Sequence, residues 1–409
     1  MKTASRYDVV IAGAGPAGLV SALNLTGHGY RIALIDKSAY PREKTCGDAL
    51  SGKALAVLKR LPGGIYHDFL NIPRKTPSTG IRFVSPAGTV LDLPFPEIGS
   101  QDPPGYLIKR SIFDHFLLEK VKHCRDIDVF ESRRIDDVIL DSEGVVIHCE
   151  GSVVRCSVVV GADGAHSMIA RKLTTIRNTH RQHSTGIRAY YQDVAPGAPT
   201  GFIELHFLKE ILPGYLWIFP MAEGQFNVGL GVQSSWLKKS GVNLPRWTDQ
   251  LISDNSWLSD RFAQSKRVTG WEGWGLPMDY PKRKVAGERF LLCGDAAGLV
   301  DPFSGEGIGN AMFSGEMAAR HILRCLQIND FSVPSMNPYV QELHKSLDRE
   351  LRTSRIMQKL AYSASLFNFV TSRATRNEKI RKMMMAMYTD MDVKSELTRP
   401  GFYFRLLFG

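Results

Sequence analysis

Two short, nearly continuous apolar runs open the chain, Tyr7-Asp-Val-Val-Ile-Ala12 and Arg31-Ile-Ala-Leu-Ile-Asp36, with a helix-forming stretch from Leu19 to Leu25 between them. Runs of that length predict strands, so the N-terminus reads as strand, helix, strand. Comparable runs recur at Val158-Val-Val-Gly161 and Phe290-Leu-Leu-Cys-Gly294. Between them the pattern is one of alternation. Residues 78–95 place Ile81 and Phe83, then Val90, Leu91 and Leu93, in strand fashion. Residues 184–233 add Gly186-Ile-Arg-Ala-Tyr-Tyr191, Phe202-Ile-Glu-Leu-His-Phe207 and Phe226-Asn-Val-Gly-Leu-Gly-Val232. Helical spacing appears at Phe113, Phe116, Leu117 and Val121, preceded by Arg110 and Asp114. It returns from about residue 312, where Val340, Leu343, Leu347 and Leu351 share one face.

These recurrences predict an α/β protein. A Rossmann-type unit is assembled from residues 1–75, 105–175 and 285–330, an antiparallel sheet from 76–104 and 176–284, and a helical segment from 331–409. The glycines give the first unit its chemistry. Gly13-Ala-Gly15-Pro16-Ala17-Gly18 lies where the first strand gives way to its helix, so a pyrophosphate can rest on backbone N–H groups at the helix N-terminus. Asp36, ending the second strand, is the acid expected on a ribose hydroxyl. Glycines alone also mark ordinary turns; with the strand, the helix and the acid at this spacing they predict a dinucleotide site.

A second cluster distinguishes FAD from NAD. It runs Gly294-Asp295-Ala-Ala-Gly298-Leu-Val-Asp301-Pro302-Phe-Ser-Gly305-Glu-Gly307-Ile308-Gly309-Asn310, and a nicotinamide-binding unit has no use for it. Asp295 is placed to reach the ribityl or phosphate region, and Pro302, Gly305 and Gly307 form a turn that starts a helix near Ile308. The positive end of that helix points at the flavin, whose reduction puts negative charge on the pyrimidine side of the ring. No second GxGxxG follows a strand, so no separate NAD(P)H domain is expected. The reductant is then a transiently docked NAD(P)H or a reductase partner.

With 409 residues, 44% of them hydrophobic and 22% charged, the chain has material for a large core and two or three domains. No apolar run approaches the roughly 18 residues of a spanning helix. A cytoplasmic protein without signal peptide is expected. Six cysteines without a CxxC pair fit a reducing compartment and, with eleven scattered histidines, predict no metal site. Residues 351–409 carry eleven Lys or Arg against four Asp or Glu, much of the net charge of +10. Ile380, Met383, Met384 and Met387 fall there at helical spacing, before the aromatic ending Pro400-Gly-Phe-Tyr-Phe-Arg-Leu-Leu-Phe-Gly409. This tail reads either as a helical lid with solvated basic residues or as a peripheral contact for an anionic membrane or a partner. No motif points to nucleic acid, and neither HExxH nor a nucleophile triad is present.

Further segments narrow the reading: Pro41-Arg42-Glu-Lys44-Thr-Cys46-Gly47-Asp48, Lys109-Arg110-Ser-Ile-Phe-Asp114, Val160-Gly161-Ala-Asp163-Gly164-Ala-His-Ser167 and Tyr215-Leu-Trp217-Ile-Phe219-Pro220. With the glycine clusters, they make a chain that resembles the geranylgeranyl reductase family, within the larger flavoprotein group that includes para-hydroxybenzoate hydroxylase. The resemblance runs from about residue 5 to residue 330. It implies that Arg110 contacts FAD, that the Cys46 loop lies beside the flavin ring, and that the Asp163 turn closes near the cofactor. It also implies that Tyr215 to Pro220 lines a lipid pocket. Met221 departs from the family pattern, where a lysine is common, so a polar contact at that point is not carried over.

The expected cofactor set is Gly13, Gly15, Pro16, Ala17, Gly18, Asp36, Lys37, Arg42, Cys46, Gly47, Arg110, Asp163, Gly294, Asp295, Pro302, Gly305, Gly307 and Ile308. Tyr215, Trp217, Phe219 and Pro220 are the expected substrate contacts, with Cys46, Tyr215 and Trp217 as catalytic candidates. Alternation turns the three rings to one face, as an apolar wall or as plain core. Cys46, close to Arg42 and Lys44, reads as a thiol whose pKa a neighbouring cation lowers, or as an incidental loop cysteine. Three functions compete on this reading. One is reduction of a carbon–carbon double bond in a prenyl or other lipophilic substrate. Another is an FAD-dependent monooxygenase that hydroxylates, epoxidises or halogenates a specialised metabolite; Tyr-Leu-Trp-Ile-Phe-Pro in place of the halogenase Trp-x-Trp-x-Ile-Pro weakens halogenation specifically. The third is a non-enzymatic flavin-stabilised binding protein.

Overall fold

A computed structural model of the chain describes residues 5–95, 103–174, 183–281, 283–378 and 380–381. Its organising element is the strand Ser5–Ala12, in which Val9, Val10, Ile11 and Ala12 are all fully buried. A strand apolar on both faces belongs inside a parallel sheet covered by helices. Here Ser5–Ala12 pairs in parallel with Ser152–Gly161 on one side and Ile32–Ile35 on the other. Phe290–Leu292 and Ile127–Phe130 extend the parallel set, and short antiparallel strands complete an eight-stranded sheet.

Parallel strands end on the same edge. The residues that follow them, Gly13, Asp36, Asp163 and Gly294-Asp295, are thereby gathered along one crevice, although they are far apart in the chain. Two helices, Pro16–Leu25 and Ile308–Ile328, pack against each other at very close range. A Cβ on Gly315 would stand 2.3 Å from the Ala17 carbonyl oxygen, and Ser21 donates to the Gly315 carbonyl at 2.9 Å. That contact brings both helix N-termini to the crevice.

The second sheet also has eight strands, with His183–Gln192, Gln225–Gln233, Tyr215–Pro220 and Phe202–His206 at its centre. It is antiparallel as expected but for one pair: Phe202–His206 runs parallel to Gly80–Val84. These two strands come from distant parts of the chain, so no hairpin dictates their direction. Tyr215, Trp217 and Phe219 face a cluster with Phe83, Leu205 and Phe207, while Leu216 and Ile218 face the opposite side with Ile187 and Leu230. A third sheet, Ala49–Leu50 with Gly105–Leu107 and Thr76–Ser78, joins three pieces whose strands are too short to show a period.

Arg110 and Asp114 lie within the helix Arg110–Lys122 rather than ahead of it, one turn apart on its buried side. The helix Val333–Leu360 buries Leu343, Leu347 and Leu351 against the body, with Val340 packed beside them. Its far end and the helix Ala364–Arg376 cover the aromatic side of the second sheet, where Met357, Phe367, Val370 and Ala374 meet Phe207 and Phe303. Ile380 joins this cluster. Met383, Met384, Met387 and the 400–409 ending lie outside the described residues. Among the described residues no helix is long and apolar enough to cross a membrane.

Candidate active site

The edge of the parallel sheet faces the aromatic side of the second sheet across a cavity of about 770 Å³, within the usual size of a small-molecule site. Of the residues expected to hold a cofactor it is lined by Gly13, Gly15, Pro16, Ala17, Asp36, Lys37, Arg42, Cys46, Gly47, Arg110, Asp163, Gly294, Asp295, Pro302, Gly305, Gly307 and Ile308. Tyr215, Trp217 and Phe219 form the opposite wall. Gly18 and Pro220 do not line it. Gly18 is a packing glycine, since a Cβ there would lie 1.9 Å from the Gly13 carbonyl oxygen. Pro220 ends its strand opposite Phe226.

The three N-terminal glycines have different causes. Gly13 has a φ of +99°, and a Cβ on it would meet the Ala162 carbonyl oxygen at 2.4 Å. Gly15 is unlike both neighbours. Its backbone is extended, with φ of −78°, and a Cβ would meet only Arg42 Nη2, at 3.9 Å. Nothing in the chain itself excludes a side chain there. The Asp36 carboxylate accepts from the Ala14 and Ser38 N–H groups at 2.7 and 2.8 Å, bracing this loop at the cavity edge.

Two guanidiniums converge beside Gly15. Arg110 grips the fully buried Asp114 with both its Nε and Nη2, at 2.8 and 2.6 Å, and Arg42 Nη2 reaches the same carboxylate at 3.0 Å. One carboxylate between two cations leaves a net positive charge. Arg42 Nη1 is buried without a hydrogen-bond partner. Burial without partners is costly for such a group, so this corner is built for an anion.

Across the cavity the Cys46 loop abuts the aromatic wall: a Cβ on Gly47 would stand 2.9 Å from the Phe219 ring. Trp217 rests on a floor of missing side chains. A Cβ on Gly229 would lie 2.0 Å from its ring and 2.5 Å from the Ile187 carbonyl. Gly229→Ala is expected to displace Trp217 and cost roughly 1–3 kcal/mol; thermal unfolding and tryptophan emission check it, and an unchanged emission spectrum counts against this packing.

Polar groups on the wall are committed. The Tyr215 hydroxyl donates to the Ser304 carbonyl, and burial pushes its pKa above the usual phenol range. Trp217 Nε1 donates to Asn227 Oδ1 at 2.8 Å. Tyr215 thereby ties the second sheet to the 301–307 loop, and Trp217 is tied to the neighbouring strand. The expectation of a lowered Cys46 pKa is corrected. Burial raises it, and the nearby Arg110 charge does not compensate, so the thiol stays protonated at neutral pH. Burial also lowers Lys44 to about 8, its Nζ lying 4.0 Å from the Trp274 ring centroid.

Residues 6–326 match the FAD binding domain family. The menaquinone reductase of Mycobacterium tuberculosis is 31% identical over 325 residues, covering 76% of this chain and 75% of that one. The chain belongs to the geranylgeranyl reductase family of flavoproteins. The digeranylgeranylglycerophospholipid reductase of Methanoculleus marisnigri is 29% identical over 352 residues, covering 84% of this chain and 83% of the relative. In fold, the chain is similar to a geranylgeranyl bacteriochlorophyll reductase-like protein from Thermoplasma acidophilum, with a TM-score of 0.81 at 21% identity over 96% of this chain and 98% of that one. A flavin-dependent brominase shares the fold at a TM-score of 0.75 and 20% identity over 98% and 99%.

The flavoprotein is an FAD-dependent oxidoreductase. Its cavity fits that cofactor on its own evidence: the space left by Gly15, the unpartnered Arg42 nitrogen and the paired Arg42 and Arg110 suit a pyrophosphate, and Asp36 suits a ribose. Sequence reasoning passed over Asn227, Tyr190 and the role of Asp48. Asn227 is the one amide in the apolar run Phe226 to Val232, a signal that was available. Glu350, Ser354, Met357 and Gln358 of the helix Val333–Leu360 also line the cavity, and no pattern pointed to them.

Proposed function

We propose that this oxidoreductase reduces a carbon–carbon double bond of a prenyl-type, lipophilic substrate. The wall of Tyr215, Trp217 and Phe219 beside the Cys46 loop carries this reading, because it pairs an apolar surface with a protonated thiol in one cavity. Its relatives' names, digeranylgeranylglycerophospholipid reductase and menaquinone reductase, agree with that chemistry. FAD is held by the unit of residues 1–75, 105–175 and 285–330, and the substrate by 76–104 and 176–284.

When bound and reduced, FAD supplies the hydride that such a reaction adds to one alkene carbon. The chain's own residues do the rest. Arg42, Arg110 and the glycine loop anchor the pyrophosphate. The aromatic wall, with Ile81, Leu205 and Phe303 lining the same cavity, holds the hydrocarbon and keeps water off. The Cys46 thiol gives its proton to the adjacent carbon and is reprotonated from solvent. A raised thiol pKa serves this role, since the proton is present at neutral pH. NAD(P)H or a reductase partner restores the electrons.

Cys46→Ser is expected to retain FAD and slow alkene reduction roughly 100-fold, the usual scale for a positioned acid. Single-turnover rates with a geranylgeranyl substrate measure this, and an unchanged rate removes Cys46 from the chemistry.

A further inference from the structure

We propose that Asn227 is a positioning residue that locks the Cys46 loop and the Trp217 wall into one frame. The inference rests on the reductase reading above and adds a residue to it. Asn227 is fully buried on the strand Gln225–Gln233. Its Oδ1 accepts from Trp217 Nε1 at 2.8 Å, and its Nδ2 donates to the Cys46 carbonyl at 2.7 Å and to Asp48 Oδ2 at 2.8 Å. An indole N–H only donates and a carbonyl only accepts, so the amide has one orientation that satisfies both sides. A single side chain thus touches the surface that places the hydrocarbon and the loop that carries the proton.

The loop end is fixed by further contacts on the same carboxylate. Asp48 sits in a left-handed backbone with φ of +64°, and its Oδ2 also accepts from Tyr190 Oη at 2.5 Å. Its Oδ1 accepts from the Arg110 N–H at 3.3 Å. Arg188 and Arg110 favour the ionised form, Cys46 lies on the same loop, and Lys109 stands 4.5 Å from the Tyr190 ring centroid. Burial outweighs these and raises Asp48 to about 6. Above that pH the carboxylate accepts from both Tyr190 and Asn227; below it, protonation removes acceptor capacity and the frame loosens. Displacing a proton donor from its carbon by about an ångström is enough to cost roughly 100-fold in rate.

The test uses the holoenzyme with Asn227→Leu and Asp48→Asn. One readout is the rate of Cys46 alkylation by iodoacetamide against pH, followed by peptide mass. The other is kcat and KM for anaerobic reduction of a geranylgeranyl substrate. Asn227→Leu removes a donor to ionised Asp48, so the acidic limb of kcat should move upward from about 6 by roughly one pH unit. Its kcat should fall roughly ten-fold or more while KM changes by less than about three-fold. Cys46 should alkylate several-fold faster in both variants, because a released loop admits water. Asp48→Asn should lose the acidic limb altogether, and asparagine accepts the left-handed backbone, so this variant carries the test if Asn227→Leu does not fold. Wild-type alkylation with an unmoved limb overturns the proposal and leaves Asn227 as packing. If the wild type reduces no prenyl substrate, the kinetic arm fails with the reductase reading, and the alkylation arm alone decides.

Discussion

Gly15→Val is expected to give a folded protein that no longer retains FAD. The backbone at Gly15 is extended, which valine adopts without strain, and a Cβ there meets nothing closer than Arg42 Nη2 at 3.9 Å. The apoprotein therefore has no reason to rearrange. The space the side chain enters is the one between the glycine loop and Arg42, which is the pyrophosphate position proposed above. Affinity should fall by roughly 100-fold or more, on the order of 3 kcal/mol. Gly13→Val is the contrasting control: a φ of +99° and a 2.4 Å approach to the Ala162 carbonyl make it a folding defect. Flavin absorbance per protein and thermal unfolding separate the two. A Gly15→Val enzyme that is purified yellow places the pyrophosphate elsewhere.

Trp217→Ala should retain FAD, lose roughly 3–5 kcal/mol of stability as a truncated aromatic does, and lose most of its activity toward prenyl substrates. The stability loss has two sources. The ring is 8% exposed and fills the space above Gly229, and its removal leaves Asn227 Oδ1 without its donor. The activity loss comes from the missing wall. Trp217→Phe keeps much of the surface and loses only the N–H, so its substrate KM should lie nearer the wild type than that of Trp217→Ala. Flavin content, unfolding midpoints and KM distinguish these effects. If Trp217→Ala keeps wild-type KM and kcat, the aromatic face is core and the substrate binds elsewhere.

What was legible in the sequence was set by local patterns. Strand-length apolar runs followed by Gly13, Asp36, Asp163 and Gly294 announced a crevice, because parallel strands ending together leave little freedom in where their loops go. Alternation likewise put Tyr215, Trp217 and Phe219 on one face. The properties that escaped are those set by contacts between distant segments. Cys46 has cations near it in the chain, which suggested a lowered pKa, but burial under the second sheet dominates and reverses the sign. The close approach of Gly18 to the Gly13 carbonyl was likewise visible only in the fold. Asn227 is a single amide in the apolar run Phe226 to Val232, and only the fold sets it between Trp217 and Cys46.

Chemistry at the double bond is the central claim, and product mass after a single anaerobic turnover tests it most directly. The photoreduced holoenzyme is mixed without oxygen with a geranylgeranyl substrate, flavin reoxidation is followed, and the product is weighed. The account expects reoxidation coupled to a gain of two hydrogens by the substrate in the absence of oxygen. Turnover that appears only when oxygen is admitted, and that adds an oxygen atom or a halogen, would contradict it.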